Sequence, residues 1–104
     1  MAEKKRSWTH DEVVVACALY SVVAGESLSP SNPKVAVVAE KLNLSPGSLS
    51  MRLRNFASLD PESIKRGQTG LSNIAIADRQ VWTEFQKDPA AIIKRAEEII
   101  GPLS

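Results

Sequence analysis

Residues 33–58, PKVAVVAEKLNLSPGSLSMRLRNFAS, constrain the fold most strongly. They read as two short helices separated by a break with room only for a tight turn. Asn32 can cap the first helix, and Pro33 suits its first position, where a missing N–H costs nothing. Val35, Val38, Ala39 and Leu42 recur at three- and four-residue steps and make one apolar stripe. Asn43-Leu44 breaks the pattern, with Leu44 set to plug the gap between the helices. Ser45-Pro46 then supplies a second cap and first-turn proline. On the second helix Leu49, Leu53 and Phe56 fall at i, i+4 and i+7 and are expected to face inward. Gly47, Ser48, Ser50, Met51, Arg54 and Asn55 are expected on the opposite face, with Arg52 at its flank. Small hydrogen-bonding groups followed by arginines suit a helix that reads base edges and phosphates in a groove. An ordinary helical hairpin with a solvated outer face has the same spacing.

The flanks extend this into an all-α domain of about five helices. Residues 1–6, MAEKKR, read as a flexible basic arm, and residues 7–104 as a single helical domain. Thr9-x-x-Glu12 is a capping box, with Trp8 and Val13 spaced as a hydrophobic staple around it. Val13 to Ala24 is apolar nearly all round, so a central helix is expected there, with Gly25 as a left-handed stop. Tyr20 is expected to bury its ring and keep its hydroxyl at an edge. After Phe56, Asp60-Pro61 can open one helical turn ending at Gly67. Lys65 and Arg66 then lie beside Gly67, Thr69 and Gly70, in a loop whose backbone N–H groups can meet a phosphate. Ser72 or Asn73 can cap a further helix carrying Ile74, Ala77, Val81, Trp82 and Phe85 on one face. Asp88-Pro89 opens the last helix, whose stripe is Ile92, Ile93, Ala96, Ile99 and Ile100.

Composition narrows the chemistry. A formal charge of +1, from 13 Lys and Arg against 12 Asp and Glu, points to modest phosphate binding at most. The single cysteine, Cys17, cannot form an internal disulfide and is expected to be buried and inert in a reducing cytoplasm. Lys4-Lys5-Arg6 leads into Ser7-Trp8-Thr9-His10 rather than an apolar run, so no secretory signal is expected. Val13 to Leu19 is too short to span a bilayer, and no membrane partner is expected. One histidine, His10, and one cysteine make no zinc site, and no phosphate loop or nucleophilic triad is visible. No catalysis, cofactor or small-molecule substrate is therefore expected.

Several stretches together resemble the N-terminal helical domain that precedes HNH-type nuclease domains in bacterial, restriction-associated endonucleases. They are RSWTHDEVVVACALY, the loop ending in Asn32-Pro33, LNLSPGSLSMRLRNFASLDP, GLSN and Asp78-x-x-Val81-Trp82-x-x-Phe85, across roughly residues 6–87. That resemblance implies DNA handling, as a regulator or as a recognition module linked to restriction. Two departures stand out: one histidine cannot supply an HNH site, and Arg52 stands where the pattern has Lys. The expected site is thus Ser45, Ser48, Ser50, Met51, Arg52, Arg54, Asn55, Lys65 and Arg66, on double-stranded DNA. Ser45 would bring the helix N-terminus to a phosphate. The competing class is a protein-interaction module, in which the hairpin or the last helix docks a second copy or a partner chain.

Overall fold

A capping box starts the helix on which the others are assembled. The Glu12 backbone N–H donates to Thr9 Oγ1 at 3.1 Å, and the Thr9 N–H to Glu12 Oε1 at 2.9 Å. The computed structural model describes residues 8–65 and 74–103. Among them are six helices and no strand: α1 His10–Val23, α2 Pro33–Leu42, α3 Pro46–Leu59, α4 Pro61–Lys65, α5 Ile76–Lys87 and α6 Pro89–Ile100. The basic arm, Arg66, the Gly67 to Gly70 loop and the Ser72 and Asn73 caps lie outside the described residues. The sixth element is α4, the short turn opened by Asp60-Pro61, whose Asp60 Oδ1 accepts the Glu62 N–H at 3.0 Å.

The expectation of an all-round apolar first helix holds. Val13 through Tyr20 and Val23 are all buried, because α1 packs against α2, α3, α5 and α6. Gly25 takes the left-handed conformation, φ 87°, just beyond the helix. Asn32 accepts the Lys34 N–H at 3.0 Å and begins α2. Asn43 ends it in the left-handed conformation, φ 60°, and the Leu44 N–H reaches back to the Ala39 carbonyl at 2.9 Å. That is a Schellman turn with asparagine where glycine is commonest. Leu44 follows half-buried, and Ser45 caps α3 by accepting the Ser48 N–H at 3.1 Å.

Leu49, Leu53 and Phe56 are fully buried. Phe56 belongs to an aromatic cluster in which Tyr20 meets Trp82 edge-on at 5.9 Å and Trp82 stacks on Phe85 at 5.5 Å. The Tyr20 ring is buried and its hydroxyl donates to Asp60 Oδ2 at 2.6 Å, so Asp60 ties α1 to the α3–α4 corner. On α5 one expectation is corrected. The helix begins at Ile76 behind Ala75, which makes no side-chain cap bond, and Ala77 is exposed while Asp78 takes the inward place. α6 closes the domain over α1 with Ile92 and Ala96 buried, and Lys41 of α2 donates to the Ile100 carbonyl at 3.0 Å.

Because Phe56 touches both the apolar interior and two other rings, Phe56→Ala should remove about 3–5 kcal/mol of stability. Small domains hold about 5–15 kcal/mol in all, so a urea titration should show the midpoint fall by a large fraction.

Candidate nucleic-acid interface

Successive residues of α3 are rotated by about 100°, so its circumference can be divided by what each side chain meets. Leu49, Leu53, Phe56 and Ala57 point into the interior. Gly47, Met51 and Arg54 form the outward line and are exposed. The flanks between these lines are occupied, and three of the expected site residues have partners inside the protein.

Ser50 is buried, and its Oγ donates to the Leu28 carbonyl at 2.7 Å. It fastens the α1–α2 connector to α3. Arg52 sends Nη1 to Asp78 Oδ1 at 2.7 Å, with its guanidinium 4.3 Å from the centre of the Trp8 ring. Asn55 donates from Nδ2 to the other carboxylate oxygen, Oδ2, also at 2.7 Å. Asp78 is fully buried, and the Arg52 side chain is 16% exposed. A buried carboxylate requires such donors, since an unpaired charge there costs several kcal/mol. The amide of Asn55 must turn its nitrogen toward a group that can only accept. Its own Oδ1 is left buried without a partner among the described residues.

The remaining described residues of the expected site stay at least partly accessible. Ser45 caps the helix and donates from Oγ to the Oγ of Ser48, which is half-buried. Met51 is 51% exposed. The Arg54 guanidinium is exposed and pairs with nothing among the described residues. Lys65 extends from α4, 3.9 Å from Glu62 Oε2. Arg66 lies outside the described residues. Pro30, Ser45, Gly47, Ser48, Ser50, Met51 and Arg54 border an open depression of about 630 Å³. The terminal helix does not wall it off, because α3 packs against α1, α2, α4 and α5 but not α6.

Two partners escaped the sequence reading. Asp78 stands four residues after Ile74 and three before Val81, in register with the apolar stripe; a carboxylate at such a position signals a buried counter-charge. Trp8 reads locally as a staple, and nothing in its neighbourhood announces the guanidinium it covers. Cys17 is fully buried, as expected. Burial, reinforced by the negative charge of Asp78, pushes its thiol up to about 12, so it stays protonated and unreactive near neutrality.

The cluster makes a testable pair. Asp78→Ala should cost about 3–5 kcal/mol in urea unfolding, because Arg52 is left without its counter-charge. Replacing all three members by apolar residues of similar size, Arg52→Met and Asn55→Leu with Asp78→Leu, should recover most of that loss.

No family model, curated protein or solved structure matches this chain. The likeness to the helical domain of restriction-associated nucleases therefore rests on the sequence motifs alone.

Proposed function

We propose that the chain binds double-stranded DNA without catalysis, through the helix-turn-helix formed by α2 and α3, with the outward line of α3 at the groove. One observation carries this reading. Gly47 lies in the first turn of α3, on its uncovered side, with ordinary helical backbone and open space wherever a Cβ would stand. Glycine in mid-helix costs roughly 0.5–1 kcal/mol relative to alanine and less in the first turn, and no described atom would meet a Cβ at Gly47. Close approach of another molecule's surface to the helix backbone is a reason for it.

The remaining groups fit that use. Ser45 sits at the helix N-terminus, where the dipole favours an anion; Pro46 has no N–H and the Ser48 N–H donates to Ser45 Oγ, so the Gly47 N–H is the first-turn donor left for it. Arg54 offers a guanidinium that is unpaired among the described residues for a base edge or phosphate, and Lys65 a further cation. With Ser50, Arg52 and Asn55 engaged internally, the proposed contact set is Ser45, Ser48, Met51, Arg54 and Lys65, together with Arg66, which lies outside the described residues. So few cations imply weak binding, shared with a second copy or a partner chain in a regulator or a restriction-linked recognition module. The half-exposed apolar side chain of Met51 favours the competing reading, a protein-docking face.

Salt separates the two. With two phosphate contacts, duplex affinity should fall about tenfold between about 50 and 200 mM salt, whereas an apolar protein contact should hardly change. Arg54→Ala should weaken duplex binding by about 1–3 kcal/mol if it reads a base, and should lower the salt slope by about 1 if it neutralises a phosphate. Gly47→Ala should raise the melting temperature while weakening duplex binding in the same preparation. Unchanged duplex affinity in both variants would reject the reading.

A further inference from the structure

The internal ties of α3 decide what its surface can recognise. Ser50, Arg52 and Asn55, the groups best able to hydrogen-bond several different bases, are held by Leu28 and Asp78. What remains beyond Gly47 on the outward line is one apolar side chain, Met51, and one cation, Arg54. We infer that α3 reads a thymine adjacent to a guanine, Met51 against the thymine 5-methyl group and Arg54 on the guanine edge. This rests on the duplex-DNA reading and specifies the sequence it selects.

The chemistry leaves little choice. The Met51 thioether is no donor and only a weak acceptor, so it discriminates among base pairs by apolar contact. In the major groove the thymine C5-methyl is the apolar feature that base pairs present. Arg54 carries the forked donors that match guanine O6 and N7, and no carboxylate of the described residues competes for them. Met51 and Arg54 are three residues apart, about 4.5 Å along the helix axis. Successive base pairs are about 3.4 Å apart, so the two side chains address neighbouring pairs. Gly47, one turn before Met51, keeps the helix surface low enough for its backbone to approach.

The test begins with selection of duplexes by the full chain from a random pool at low salt. Enriched sequences are then resynthesised with uracil replacing each thymine in turn, which removes only the methyl group. One thymine beside a guanine should account for the effect. Its replacement should weaken binding about fourfold, the equivalent of burying one methyl group. Met51→Ala, at an exposed position the fold does not need, should bind thymine and uracil duplexes equally. Arg54→Gln should shift the preference at that position from guanine towards adenine while leaving a weaker, salt-dependent remainder. Equal affinity for thymine and uracil duplexes in the unaltered protein, or a preference that survives Met51→Ala, overturns the inference and leaves DNA binding standing. Failure to enrich any duplex, or binding indifferent to salt, removes the DNA reading and this inference with it.

Discussion

A carboxylate with no exposed surface organises one side of this domain. Asp78 of α5 accepts from Arg52 and Asn55, both on α3, and Trp8 covers the guanidinium from outside. An ion pair of this kind adds little net stability over an apolar filling of the same shape. Its consequence is directional. Two short bonds from residues three apart on one helix, to the two oxygens of one carboxylate, fix the rotation of α3 about its own axis. Once that rotation is set, Met51 and Arg54 face outward and cannot exchange places with their polar neighbours.

The aromatic cluster completes the arrangement from the apolar side. Tyr20, Phe56, Trp82 and Phe85 link α1, α3 and α5, and the Tyr20 hydroxyl carries the connection on to Asp60. The motifs that resemble the nuclease-associated domain thereby acquire a physical account. Trp8, Arg52, Asn55, Phe56, Asp60, Asp78, Trp82 and Phe85 come from separate stretches and converge on one interior. Their types are dictated by charge pairing and ring packing, whatever the surface of α3 meets.

The surface has a different logic. Ser50 joins the connector to α3, Asp78 takes two further side chains, and the free arc of the helix shrinks to a narrow line through Gly47, Met51 and Arg54. Such a line carries one half-exposed apolar side chain and one cation. The glycine that the fold does not require lies on this same line.

Much of the architecture was legible in the order of residues. The caps at Thr9, Asn32, Ser45 and Asp88, the left-handed stop at Gly25 and the inward stripe of Leu49, Leu53 and Phe56 depend on groups within a few residues of one another. Local spacing is enough to specify them. The outward set of α3 was not legible, because periodicity marks where an apolar stripe lies but not how far neighbouring elements wrap around the rest of the helix. Arg52 and Asn55 meet Asp78 across 26 and 23 residues of chain, and Ser50 meets Leu28 across 22. No local pattern encodes such meetings. The sequence determined that these residues lie on a helix with a buried side; only the packing of α5 and the α1–α2 connector decided which of its polar groups stay free.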